Sequence, residues 1–377
     1  MNWDRDQESI EMNTFVALDC EGPITLNDNA FELAREYIPG GDRFFSNISK
    51  YDDFLADVLK RPGYKAGDTL KLILPFFRAF DMGNEVMTAF SEKTLALVPG
   101  AKGMLAKIQR LSPAFIVSTS YKPYLQALSR LTGFPLTNVY CTEVDLSAYT
   151  MTERDKKTLK AMAEEIASMP MLSWPHDADG VSALAPPDKE IFARLEEIFW
   201  KLIPSMDIGR IYEDVNPVGG HEKALSLDHA SQRTGIGKDC CLYAGDSITD
   251  VEVFGAVREA GGVTIAFNGN SYALRSAQFA LIAPTAGYLD LLIHGFVDWG
   301  PGRFKEVFSK QEYPLSGHDL IDMLDTLGLD KDGMDEIQKY RDETLFYCLN
   351  DENLASAVNA SERMRRQVRG AQIGGLG

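Results

Sequence analysis

A chain of 377 residues with 38 basic and 55 acidic side chains carries a formal charge of −17, which disfavours a nucleic acid or an anionic membrane surface as its partner. With 45% hydrophobic and 25% charged residues it has the balance of a globular protein holding one large core or two moderate ones. Any anionic ligand must therefore find its positive charge locally.

The opening MNWDRDQESIEMN is charged where a signal peptide would be basic and then apolar, and no apolar run reaches membrane-span length. A cytoplasmic protein is expected. Next comes FVALDCEGPITLND, in which an apolar run ends on two carboxylates, Asp19 and Glu21, followed by Gly-Pro. The runs FVALD, AFIVST, CCLYAGD and GVTIAF are short, rich in β-branched and aromatic residues, and closed by small or polar ones, as buried parallel strands are. Helical patterns over Lys122 to Leu131, Glu222 to Arg233 and Asp250 to Ala260 alternate with them. That order predicts an α/β fold with a doubly wound, Rossmann-like parallel sheet, whose ligands sit where the strands' carboxyl ends open. Asp19, Ser118 and Asp246 all fall at such ends.

Two insertions interrupt this core. Residues 27–98 read as a helical cap, because KYDDFLADVLKR and DTLKLILPFFRAF place apolar residues at helical spacing. Residues 149–209 form a second helical insertion around a Trp-Pro-His-Asp loop. The core is thus expected in three parts, 1–26, 99–148 and 210–295, with a helical extension over 296–377. In that extension Arg363, Arg365, Arg366 and Arg369 read as a solvated helix end favoured by the helix dipole, and the Gly-rich last residues as frayed. LDKDGMDE lacks the alternation and closing Glu of a calcium loop. Five cysteines, Cys20, Cys141, Cys240, Cys241 and Cys348, show no C-x-x-C spacing and suggest neither zinc nor a disulfide framework.

Taken together, DCEGPIT at Asp19, FIVSTS at Ser118, GGHEK at Lys223 and AGDSITD at Asp246 resemble, in order and setting, the haloacid dehalogenase-like (HAD) superfamily of phosphohydrolases. AGDSITDVEVFGAVREAGGVTIAFNGN is the most specific part, and the helical segment after the first motif stands where the phosphoserine phosphatase branch carries its cap. The resemblance implies a phosphatase acting on a small phosphorylated metabolite, with Asp19 as nucleophile, Glu21 as acid/base, Lys223 as a charge beside the phosphate and Ser118 as a donor to a phosphoryl oxygen. Thr119 and Asn268 are further substrate-binding candidates. It also implies Mg²⁺, held by Asp19, the Glu21 carbonyl and Asp246, with Asp250 a ligand or its support. Glu21 stands where Asp is commoner, and Pro23 where Thr or Val is usual, which removes a backbone donor at the turn.

Three alternatives remain open at this point. An alcohol in place of water would make the protein a phosphotransferase. The DCEGP opening is also similar to that of an archaeal group associated in naming with an energy-converting hydrogenase, which implies an accessory protein that uses the insertion and the extension to dock a partner or a second copy. GDSIT further matches the nucleophile block of GDSL-type esterases, with Ser247 as nucleophile, but no Asp-x-x-His follows it. Among weaker candidates, His221 reads as a helix-start residue and His176, with Asp177 and Asp179, as a polar loop. Arg43, Arg61 and Arg78 of the cap are candidate contacts for a second anionic group on the substrate.

Overall fold

A computed structural model describes residues 13–311, 313–324 and 331–375. The acidic opening and part of LDKDGMDE lie outside the described residues. Eight strands form one sheet: β1 (Phe15–Leu18), β2 (Ala114–Tyr121), β3 (Val139–Thr142), β4 (Cys241–Gly245), β5 (Val263–Phe267), β6 (Phe279–Ile282), β7 (Leu315–Ser316) and β8 (Leu345–Cys348). Their order is β3-β2-β1-β4-β5-β6-β8-β7. Pairing is parallel from β3 through β6 and antiparallel at β8 and β7. The fold is α/β and Rossmann-like.

The alternation of side chains along each strand buries both faces. Val16 and Leu18 of β1 join Ile116, Leu242 and Ile265 on one face, under the helices Ala101–Leu111, Lys122–Thr132 and Gly287–Ser309. Phe15 and Ala17 join Phe115, Val117 and Tyr243 on the other, under His221–Thr234, Val251–Ala260 and Leu354–Arg369. The chain leaves β1 for β2 on one side and later adds β4 on the other. β1 and β4 are therefore neighbours at the switch point, with Leu18 opposite Ala244. Neighbouring strands lie roughly 4.8 Å apart, so the residues just past these two ends are brought together.

Both insertions are helical, and they share one apolar core. The helices Gly41–Asp53 and Thr69–Ala79 pack on Glu153–Ser168, and Tyr51 and Phe54 meet Phe192 with ring centroids 5.7 and 5.4 Å apart. One cluster gathers Phe31, Phe44, Phe76 and Phe77 of the first insertion with Leu159, Ile166, Phe199 and Ile208 of the second.

The C-terminal extension corrects two sequence expectations. It supplies two strands, β8, which pairs with β6 over Leu345–Cys348, and β7, which pairs with β8 at the sheet edge. The last described turn is also not frayed, because Ile373 is buried within the cap's cluster. The final helix thus runs along the core, and the chain after it reaches the cap. No helix of the described residues is long and apolar enough to cross a membrane.

Candidate active site

The turn after β1 builds the first wall of the site. Gly22 N and Thr25 O bond at 2.9 Å, and Ile24 N and Thr25 N both donate to Cys20 O, so the donor missing at Pro23 is not one this turn uses. Gly22 has φ +101°, and a Cβ there would stand 2.4 Å from Asp246 Oδ2, so only glycine lets the turn lie against the end of β4. Cys20 is packed inside, as its place between the carboxylates suggests.

Lys223, wholly buried in the first turn of its helix, donates to Asp19 Oδ2 at 2.6 Å and to Asp250 Oδ1 at 2.7 Å. Asp250 is saturated. Its Oδ1 also accepts from the Tyr243 hydroxyl at 2.7 Å, and its Oδ2 from the backbone N–H of Asp246 and Ser247 at 2.8 and 3.0 Å. One carboxylate oxygen from each of Asp19, Asp246 and Asp250 lies within 4.8 Å of the others. Burial pushes the Asp19 carboxyl up to about 8 against the pull of Lys223, with the charges of Asp250 and Asp246 adding to the rise. Burial would raise Asp250 too, but Lys223, the Tyr243 hydroxyl and the backbone N–H of Ser247 together outweigh it and hold Asp250 low. Burial would likewise lower the Lys223 ammonium, and the two carboxylates overcome that and raise it. Glu21 is raised well above the usual carboxylate range, first by burial and then by the charge of Asp28, although Asn29 N–H donates to its Oε1 at 2.9 Å.

A cavity of about 110 Å³ opens over this cluster. The core contributes Asp19, Glu21, Ser118, Thr119, Ser120 and Asp246 to its wall, and the cap contributes Phe45, Ser49, Asp52, Asp53, Thr69 and Leu70. Ser118 Oγ accepts from Ser120 N at 3.2 Å, while Thr119 Oγ1 is buried with no partner among the described residues. Asn268 does not join the lining. Its side chain is consumed in two bonds to the backbone of Ala283, at 2.7 and 3.0 Å, so it ties a loop and is not placed to bind substrate. Ser247 lines the cavity, but no histidine does, so the esterase reading has no base to activate it. Arg43 bonds Met169 O, Arg61 pairs with Glu196 and Arg78 bonds Tyr149 O, so none of the three faces the cavity. His221 is exposed beside Glu252.

The residues that sequence reasoning misplaced are Arg365 and Arg369. Arg363 and Arg366 are exposed, as expected of a solvated helix end. The other two, four apart on the buried face of Leu354–Arg369, both pair with Asp246 Oδ2, Arg369 Nη1 at 2.8 Å. Arg369 also donates to the carbonyls of Leu26 and Asn27, at 3.1 and 2.5 Å, where the chain enters the cap. The i, i+4 spacing beside buried Ala357, Ala360, Ser361 and Met364 was the signal available.

Gene product AF1437 from Archaeoglobus fulgidus, a solved structure, is 32% identical to this chain over 97% of this chain and 99% of its own, with a TM-score of 0.77. The chain belongs to the AF1437 family. Coverage of that extent means that the cap insertions and most of the C-terminal extension are part of the fold the AF1437 family shares. A phosphoserine phosphatase in apo form aligns over 71% of this chain and 92% of its own, at 12% identity and a TM-score of 0.41, too distant to bear on fold or function. No protein-family model and no curated protein matches the sequence.

Proposed function

We propose that this member of the AF1437 family is a HAD-like phosphohydrolase: a Mg²⁺-dependent phosphatase that cleaves the phosphomonoester of a small metabolite. The observation that carries the reading is the buried group of Asp19, Lys223, Asp246 and Asp250 beneath a cavity walled in part by a helical cap. One carboxylate oxygen from each of Asp19, Asp246 and Asp250 lies within 4.8 Å of the others, a hard-oxygen donor set that fits a divalent cation, and burial raises Asp19, whose ionised form such a cation would favour. Asp19 and Asp246 would hold Mg²⁺, while Asp250, with both oxygens already bonded, orients Lys223 and the β4 turn. When bound, the ion would neutralise phosphoryl oxygens and keep Asp19 ionised.

Asp19 Oδ then attacks phosphorus in line, forming an aspartyl-phosphate as the P–O bond to the leaving group breaks. Glu21, held protonated by its burial, gives its proton to the departing alkoxide. In the second half, the Glu21 carboxylate takes a proton from water, whose oxygen displaces Asp19 from phosphorus. Lys223 holds Asp19 in place throughout, and Ser118 and Thr119 are the hydroxyls positioned on the cavity wall to donate to phosphoryl oxygens.

The test is a screen of phosphorylated metabolites with Mg²⁺, using Asp19→Asn as the blank. Turnover is expected to vanish in Asp19→Asn with the fold intact, to fall in Glu21→Gln, and to stop with EDTA and return with Mg²⁺. Substantial activity in Asp19→Asn would refute the mechanism.

A further inference from the structure

Arg365 is only 4% exposed, yet the bonds it makes among the described residues all leave from one nitrogen. Nη1 donates to Asp246 Oδ2, to Asp246 O at 3.2 Å and to Asn268 O at 3.5 Å. Among the described residues Nε is buried with no partner, and none of the three bonds leaves Nη2. Nε–H and Nη2–H form one edge of the planar guanidinium, a fork whose spacing matches two oxygens of a phosphate or carboxylate. A buried donor left unsatisfied costs roughly 1–3 kcal/mol, so an open fork in the wall of the cavity is an arrangement that a ligand would complete. Arg365 and Arg369 line the same cavity as Asp19, as do Thr69 and Thr119, whose hydroxyls are also buried without a partner among the described residues. That cavity is far below the several hundred Å³ of a site enclosing a whole metabolite, so the group facing the fork is the phosphoryl group itself.

We propose that the C-terminal helix supplies the phosphate clamp of this site: the Nε/Nη2 edge of Arg365 receives two phosphoryl oxygens, Arg369 adds charge beside it, and Asp246 anchors both guanidinium groups. The proposal rests on the phosphohydrolase reading and extends it, because the clamp comes from the extension and not from the four motifs. Arg365 is here a binding residue, and no proton or bond passes through it.

The experiment is calorimetric titration of inorganic phosphate into the full chain, with and without Mg²⁺, for wild type, Arg365→Gln and Arg365→Lys. Phosphate affinity is expected to fall about 10- to 100-fold in Arg365→Gln, the loss of a charge-assisted pair. Arg365→Lys keeps a charge against Asp246 but has no fork, so it should fold and recover only part of that affinity. Should Arg365→Gln fail to fold, Arg365→Lys decides. Phosphate bound by the variants as tightly as by wild type, or no phosphate binding by wild type at millimolar concentration, overturns the clamp. So does a loss seen only for phosphorylated carboxylates and not for inorganic phosphate, since the fork would then serve a second anionic group. Failure of the function reading is separate: Arg365-dependent phosphate binding in a protein without turnover keeps the clamp and removes the phosphatase.

Discussion

Replacing Lys223 by Met removes one charge and nearly nothing else, which makes it the sharpest test of the site's electrostatics. The ammonium is wholly buried and 2.6 and 2.7 Å from Asp19 and Asp250, themselves buried. Deleting one member of such a pair leaves uncompensated charge and costs about 3–5 kcal/mol. Unfolding entropy near 2.1 cal/mol/K per residue gives roughly 0.8 kcal/mol/K for a chain this long, so the melting temperature should fall by about 4–6 °C. The loss has a definite pH dependence. Without the lysine, the folded carboxyls rise further and hold protons that the unfolded chain has released. That part of the stability is present at low pH and is lost as pH rises, so the deficit against wild type should grow from pH 5 to pH 8. Calorimetric melts at both pH values check this, and the double variant Lys223→Met with Asp250→Asn should be less destabilised than the sum of its parts by about 1 kcal/mol or more. A deficit below 1 °C, or one that shrinks as pH rises, would refute the idea that these three groups form a charged, buried unit.

The cap wall carries its own pH signature: burial raises Asp52 to about 7, against the donation of Tyr64. Because the folded value lies above the unfolded one, wild type should lose stability as pH climbs from about 4 to about 7, by up to about 4 kcal/mol at 1.36 kcal/mol per unit. Asp52→Asn should flatten that slope in melts between pH 5 and 8, and an unchanged slope would contradict it. At the turn, Gly22→Ala should lower stability by about 1–3 kcal/mol and weaken phosphate binding together, since its Cβ would strike Asp246 from a left-handed backbone. Intact phosphate binding in that variant would mean that the turn and Asp246 do not need their close contact.

The strands that carry chemistry were legible because three constraints agree on them: apolar composition, punctuation by small residues, and a carboxylate or hydroxyl at the end. β8 shares the apolar composition but little else. Leu345–Cys348 is four residues among polar neighbours, and its pairing partner β6 lies more than sixty residues away. The two insertions each looked helical, but nothing local says that Tyr51 and Phe54 will meet Phe192. Arg365 and Arg369 were hidden for a different reason. An arginine near a helix end has a sufficient local explanation in the dipole, and its burial depends on Asp246, 119 residues earlier. Local rules place such a residue at the surface until a distant carboxylate is known to face it.

That distant pairing also resolves the difficulty posed by a chain of charge −17. Asp19, Asp246 and Asp250 meet Lys223, Arg365 and Arg369, three carboxylates against three cations, all largely out of water. Unbalanced charge in such a site costs several kcal/mol, so a core without the C-terminal helix would hold an excess of two negative charges with all groups ionised and would repel the anionic ligand proposed for it. Counted with every group ionised, the cluster is neutral with the helix in place, and a bound divalent cation, which would keep Asp19 ionised, would leave two positive charges for a phosphate dianion to cancel. The extension therefore belongs to the electrostatics of the site: its arginines offset buried carboxylates, which on the proposed reading is what would let them coexist with an anionic ligand in a chain of net negative charge.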